Sequence, residues 1–125
     1  MKKELVFVYG TLKRHHGNNG LLPKNSFITS ATTVDKYIMY SLGIPFVSKS
    51  NEMYKIHGEV YEVDKRTFNN LDMLEGHPNW YKREKINVYL LPNKKNIKQI
   101  KEVKAWLYFN EVIPSGAQLL EKGIY

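Results

Sequence analysis

The chain has 125 residues, of which 42% are hydrophobic and 13% aromatic, so it has the length of one domain and enough apolar side chains for a core. Its 19 basic and 12 acidic residues give a net charge of +7. The absence of cysteine excludes a disulfide framework, a zinc ribbon and a thiol nucleophile. The sequence has no apolar run near the roughly 20 residues of a membrane span, and its charged start is unlike a signal peptide. We therefore expect one cytoplasmic domain over residues 1–125, without membrane contact.

The first half of the chain is predicted to form strands. A short apolar run, Leu5–Tyr9, is rich in β-branched and aromatic residues and stops at Gly10, as expected of a strand buried on both faces. After a loop of turn-forming residues, residues 27–42 have an extended pattern that is interrupted near residues 35–36. Residues 43–45 end this pattern, and a further short extended segment follows.

A strand and then a helix are predicted in the middle of the chain. Residues 56–63 alternate between the two faces of a strand, and Asp64 directly after them is a suitable helix N-cap. Apolar residues then recur at helical spacing for about three turns, ending with Leu74. Gly76 is a typical residue just beyond a helix C-terminus, so the helix is expected to end before it.

The last third of the chain is predicted to contain a hairpin. Residues 80–91 alternate again, a turn follows at residues 92–96, and residues 103–109 form the returning strand. Residues 117–120 are predicted to form one short helical turn. A strand-rich pattern with one clear helix indicates an α+β fold.

Residues that commonly bind metals or nucleic acids do not form a convincing site. The adjacent His15 and His16 cannot share one face of a helix or strand, and no metal site is predicted. The basic segment at residues 94–101 lies at the predicted hairpin tip and lacks arginine and aromatic residues. A solvated turn therefore explains it better than nucleic-acid binding, which we do not expect.

Two carboxylates lie on the same side of the predicted helix. Asp72 and Glu75 are three residues apart, and Glu75 is the last residue before Gly76. An acidic group is unfavourable at this end of the helix dipole, which makes Glu75 a candidate for function. A pKa raised by burial would suit Glu75 to general-base catalysis, whereas Asp72 is interpreted as structural.

The segment Tyr9–Leu12 is the second candidate. A glycine after a buried strand allows backbone N–H groups to converge on an anion such as a ligand carboxylate. An ordinary turn between a strand and a loop would have the same composition.

Several motifs, taken in order, form a more specific pattern than any one of them. The chain resembles the γ-glutamylcyclotransferase-like family, in its short AIG2-like and γ-glutamylamine cyclotransferase branch, over residues 4–109. The motifs that carry this resemblance are VYGTLK at 8–13, LGIP at 42–45, GEVY at 58–61 and LDMLEG at 71–76, followed by Pro78, Tyr81 and Arg83.

The resemblance implies a fold and a reaction. The fold would be a compact mixed β-barrel with flanking helices and a ligand cavity at one mouth. The reaction would release 5-oxoproline from a γ-glutamylamine or related γ-glutamyl amide, by attack of the substrate's own α-amine on its γ-carbonyl. It would need no metal and no cofactor, and the partner would be a small-molecule γ-glutamyl substrate.

The resemblance also implies roles for individual residues. Glu75 matches the catalytic glutamate of the family and would act as general acid and base. Tyr9, Gly10, Thr11 and Leu12 match the loop that holds the γ-glutamyl group, partly through backbone amides. Tyr81 matches a recurrent aromatic position in the substrate site.

A non-catalytic module that binds a small ligand or a partner on the same scaffold is the alternative function. A pure binder has no need of a base, so the presence of Glu75 favours the enzyme.

Overall fold

A computed structural model describes residues 3–95 and 97–125. The part of the chain that it describes contains one α-helix, one turn of 3₁₀ helix and seven strands. In chain order these are β1 (Lys3–Val8), the 3₁₀ turn (Asn19–Leu21), β2 (Phe27–Leu42), β3 (Ile44–Ser48), β4 (Tyr54–Asp64), α1 (Lys65–Glu75), β5 (Lys82–Leu90), β6 (Lys101–Phe109) and β7 (Gln118–Leu119).

Five strands close into a barrel in the order β2–β4–β1–β6–β5. The ring is completed where β5 pairs with β2, with Ala31 opposite Leu90 and Thr33 opposite Val88. The pairing of β1 with β6 is parallel, with Val6 opposite Trp106, and the other pairings are antiparallel. This closed, mixed barrel with a packed helix confirms the predicted α+β fold class.

The longest strand, β2, serves both the barrel and a small extension of it. Its register against β4 shifts between Thr32 and Lys36, which is where the sequence predicted an interruption. The shift bends the strand but does not end it, so β2 continues and pairs with β3 and β7. Gly43 has φ 75° and forms the tight turn from β2 into β3, with Leu42 opposite Ile44.

The apolar side chains form two clusters, which follow from the alternation of the strands. Side chains of the first cluster, such as Phe7, Val60 and Leu107, fill the barrel. Side chains of the second, such as Val8, Leu71 and Tyr108, lie between the outer wall, helix α1 and the loop after β1. Neighbouring residues of one strand therefore belong to different clusters.

Helix α1 has the ends that the sequence predicted. The Asp64 carboxylate accepts a hydrogen bond from the Thr67 N–H at 2.8 Å, which caps the N-terminus. Gly76 adopts the left-handed conformation at φ 63° and ends the helix, so Glu75 is its last residue. The capped ends define the place of Glu75 relative to the barrel.

The predicted helical turn at residues 117–120 is wrong. Gln118 and Leu119 form β7 against the end of β2, and the Leu120 N–H donates to the Met39 carbonyl at 2.9 Å. Gly116, with φ 86°, turns the chain before this strand. The unpaired edge of β2 beyond the barrel offers backbone partners, and pairing with them replaces a helical turn too short to be stable alone.

We predict that Gly123→Ala destabilises the fold more than Gly116→Ala. Both glycines have positive φ, but a Cβ at Gly123 would overlap the Lys55 carbonyl, whereas nothing lies within 4 Å of one at Gly116. The Gly116 variant should lose roughly 1–2 kcal/mol, the cost of the left-handed conformation, and the Gly123 variant clearly more. Urea unfolding of both variants checks this, and equal losses would contradict it.

Candidate active site

All six residues that the sequence predicted for the site line one cavity of about 180 Å³. The cavity lies where the two apolar clusters meet, beside the end of helix α1. The residues that line it are Phe7, Val8, Tyr9, Gly10, Thr11, Leu12, Asn18, Ile44, Pro45, Leu74, Glu75, Trp80, Tyr81 and Tyr108.

The backbone after β1 forms one wall of the cavity. None of the hydrogen bonds found for residues 3–95 and 97–125 uses the N–H of Gly10, Thr11 or Leu12 as donor. A Cβ on Gly10 would overlap the ring of Pro45, which also lines the cavity. The glycine is therefore needed for close packing against Pro45, and its φ is not positive. Three adjacent backbone donors remain available to an anion.

Hydrogen bonds from the following loop and the barrel wall hold this segment in place. Asn18 bonds Thr11 twice, from its N–H to the carbonyl and from its side-chain amide to the hydroxyl, both at 2.9 Å. The buried Glu59 carboxylate accepts from the Arg14 N–H at 2.9 Å and from the Arg14 Nε at 3.0 Å. Tyr61 donates its hydroxyl to the same carboxylate at 3.0 Å. The loop is thus preorganised by the barrel wall.

The carboxylate of Glu75 is half-buried in the cavity. Burial raises its pKa from 4.5 to about 7. No residue in the described part of the chain donates a hydrogen bond to it. The backbone around it is ordered, because the Tyr81 N–H donates to the Glu75 carbonyl at 3.0 Å. The group is therefore a base that changes protonation near neutral pH.

Three tyrosine side chains line the cavity together with Glu75, and the hydroxyl of each donates to another group. Tyr9 donates to the Tyr108 carbonyl at 2.6 Å, and Tyr81 donates to the Pro45 carbonyl at 2.9 Å. Tyr108 donates to Asp72 Oδ1 at 2.7 Å. Burial raises the pKa of each of the three phenols, and the charge of Glu75 raises it further. The three phenols therefore stay protonated at neutral pH.

The Asp72 carboxylate is hydrogen-bonded to the barrel and does not line the cavity. Arg83 bonds both carboxylate oxygens of Asp72, with Nε at 2.8 Å and Nη2 at 3.1 Å. The Arg83 guanidinium carbon lies 4.3 Å from the ring centre of Phe68 and 4.5 Å from that of Trp106. This network joins helix α1 to β5 and β6 and supports the structural interpretation of Asp72.

Several residues of the cavity were not predicted from the sequence. Tyr108 is the most important, because it bonds Asp72 and lies near Glu75. Its neighbours Leu107 and Phe109 belong to the barrel interior, so the alternation of β6 alone turns Tyr108 outward. That outward face was the available signal, but only the barrel topology brings it to α1. Pro45, in β3, and Trp80, in the segment between α1 and β5, likewise line the cavity.

Within residues 3–95 and 97–125, no group of three or more His, Asp or Glu side chains could hold a metal ion. Over the same residues, no helix is both long and apolar enough to cross a membrane.

Comparison with known proteins identifies the class that combines this barrel with this cavity. The family model described as gamma-glutamyl cyclotransferase, AIG2-like, matches residues 6–125. The chain therefore belongs to that family.

Individual relatives extend over most of the chain. A Methanocaldococcus jannaschii protein, provisionally named a gamma-glutamylcyclotransferase, is 42% identical over 123 residues, which cover 98% of this chain and 95% of the relative. Gamma-glutamylaminecyclotransferase C of Danio rerio is 33% identical over 122 residues, covering 88% of this chain and 78% of its own. The crystal structure of a mouse AIG2-like protein superposes with a TM-score of 0.83 at 24% identity, over 98% of this chain and 88% of that one, so it supports the fold.

We predict that Glu75→Gln raises the melting temperature at pH 8 and has a smaller effect at pH 5. A raised pKa in the folded state means that ionisation opposes folding, so stability falls as the pH rises from 4.5 to about 7. Glutamine avoids this cost, which is on the order of 1–3 kcal/mol for a partly exposed group. Thermal melts across pH check this, with the exposed Glu52→Gln as control. An equal shift at both pH values would contradict it.

Proposed function

We propose that the protein releases 5-oxoproline from γ-glutamylamines, with Glu75 as general base and then general acid. The observation that carries this proposal is that one cavity holds a carboxylate of raised pKa and three backbone N–H groups, none of which has a hydrogen-bond partner among the described residues. A γ-glutamyl group carries an α-ammonium and an α-carboxylate on one carbon. The Glu75 carboxylate suits the ammonium, and the backbone N–H groups suit the carboxylate.

The backbone segment at Gly10–Leu12 would bind the α-carboxylate. Preorganised N–H donors recognise an anion without a basic side chain, and no Lys or Arg lines the cavity among the described residues. With the carboxylate held there, the α-ammonium would face Glu75. This arrangement supports recognition of the amino-acid end of the substrate.

The reaction removes two protons from the α-nitrogen of the substrate, in three proton transfers. Glu75 takes one proton from the ammonium, whose ordinary pKa is about 8, and the neutral amine attacks the γ-carbonyl carbon. The new ring C–N bond forms, the old C–N bond breaks, and Glu75 returns the proton to the departing nitrogen. The ring nitrogen loses a second proton to the released amine, which leaves as an ammonium. Holding both ends of the substrate favours ring closure over bimolecular attack.

The cavity mouth favours a leaving group without a carboxylate. Ile44, Leu74 and Trp80 lie there, and Trp80 is 51% exposed. Glu75 is the one charged group among the described lining residues, so a second carboxylate would find no cation and would be repelled. This supports an alkyl or aryl amine as the leaving group in preference to an amino acid.

We predict that γ-glutamyl alkylamides are cleaved with a kcat/KM at least about tenfold above that of γ-glutamyl amino acids. A tenfold ratio corresponds to about 1.4 kcal/mol, a modest cost for an unpaired carboxylate at the mouth. The assay detects 5-oxoproline directly across a panel of both classes. Preference for the amino acids would contradict the amine type, and binding without any turnover would favour the non-catalytic module.

The control for this assay is Glu75→Gln, which keeps size and polarity but cannot accept a proton. Turnover of the best substrate should fall about 10²–10⁴-fold while its binding is retained. Near-normal turnover in this variant would exclude Glu75 as the base.

We predict that Gly10→Ala weakens binding of a γ-glutamyl alkylamide and that Gly17→Ala does not. The added methyl group overlaps Pro45 at the cavity wall, while a Cβ on Gly17 in the same loop has nothing within 4 Å. Displacing a packed ring costs roughly 1–3 kcal/mol, or about tenfold or more in affinity. Titration calorimetry in the Glu75→Gln background avoids turnover. Equal affinities of the Gly10→Ala and Gly17→Ala variants would mean that the ligand does not bind beside Gly10.

A further inference from the structure

The hydroxyl hydrogens of the cavity tyrosines are all committed to acceptors other than Glu75. Tyr9 and Tyr81 donate to main-chain carbonyls, and Tyr108 donates to Asp72. A phenol has one hydrogen, so an oxygen whose hydrogen is engaged can only accept further hydrogen bonds. Toward the cavity, these three side chains therefore present lone pairs and no donor.

This arrangement has a direct effect on Glu75. A carboxylate that accepts a hydrogen bond becomes a weaker base, because the bond stabilises its charged form. Three phenols near a carboxylate would ordinarily supply such donors. Tyr9, Tyr81 and Tyr108 line the cavity together with Glu75. Asp72 lies one turn before Glu75 on the same helix, and His77 follows the end of that helix. Among the described residues, none of these groups donates a hydrogen bond to Glu75.

The hydroxyl of Tyr108 differs from those of Tyr9 and Tyr81 because its acceptor is a side chain and not a main-chain carbonyl. Partial burial raises the pKa of Asp72, but hydrogen bonds from Arg83 and Tyr108 lower it below its ordinary value. Asp72 is thus an ionised acceptor that has no hydrogen of its own to give. Both of its oxygens are bonded by Arg83, whose guanidinium packs over two adjacent aromatic rings, Phe68 and Trp106. The direction of the Tyr108 hydrogen is therefore determined by an anchored anion.

We infer that Asp72, anchored by Arg83, is a positioning residue that keeps the hydroxyl hydrogen of Tyr108 away from Glu75 and so preserves Glu75 as a strong base. The inference rests on the proposed function for its catalytic meaning. Its physical content concerns the protonation of Glu75 and can be measured without substrate.

The experiment compares Asp72→Asn with the double variant Asp72→Asn/Tyr108→Phe. Protein labelled with ¹³C-glutamate is titrated by NMR, and the carboxyl signal missing from Glu75→Gln identifies Glu75. Asparagine is a weaker acceptor, so the freed Tyr108 hydroxyl should turn to Glu75 and lower its titration midpoint by about one unit. Both variants carry the same charge change, so the double variant should regain at least half of that shift.

Equal midpoints in the single and double variants, or no lowering in Asp72→Asn, would overturn the inference. If Asp72→Asn does not fold, the NMR titration of Glu75 in the Tyr108→Phe variant tests the inference by itself. Its Glu75 midpoint should stay within half a unit of the wild-type value, whereas a rise of about one unit would mean that Tyr108 already donates to Glu75. The midpoint on the acid side of the pH profile of kcat/KM should shift together with the NMR midpoint of Glu75. A wild-type protein without turnover would overturn the proposed function and leave the titration result standing.

Discussion

The parallel pairing of β1 with β6 is the constraint on which the site depends. In a barrel that is otherwise antiparallel, it brings the carboxyl ends of two distant strands to the same edge. The segment after β1 supplies Tyr9 and the backbone donors, and β6 supplies Tyr108, whose carbonyl accepts the Tyr9 hydroxyl. Helix α1 ends at this edge and adds Glu75. An antiparallel pairing at this position would have sent the two ends to opposite mouths of the barrel.

The electrostatics of the cavity depend on the partners that the described residues do not provide for Glu75. A carboxylate in a partly dry pocket normally gains a donor or a cation, and the described neighbours of Glu75 supply neither. Nearby polar groups are instead satisfied by one another, through carbonyls and through the pair of Asp72 and Arg83. The fold thus tolerates one poorly solvated carboxyl group, whose pKa is raised to about 7.

Local patterns in the sequence predicted most elements and part of the site. Alternation and capping residues located the strands and both ends of α1, and the position of Glu75 before Gly76 indicated a base. Tyr108 could not be predicted, because its contact with Asp72 depends on barrel closure between segments far apart in the chain. The strand at Gln118 was missed for the same reason, since its partner is the distant end of β2. Patterns of a few residues indicate which face of an element is buried and where the element ends. They do not indicate which distant strand will pair with it.

The two tryptophans give the molecule separate optical reporters. Trp80 stands at the mouth of the cavity with its ring 4.9 Å from that of Tyr81, so a ligand entering there changes the polarity around its indole. Trp106 lies on the outer wall against the Arg83 guanidinium and does not line the cavity. Fluorescence from single-tryptophan variants would thus separate occupation of the pocket from disturbance of the charged network behind it.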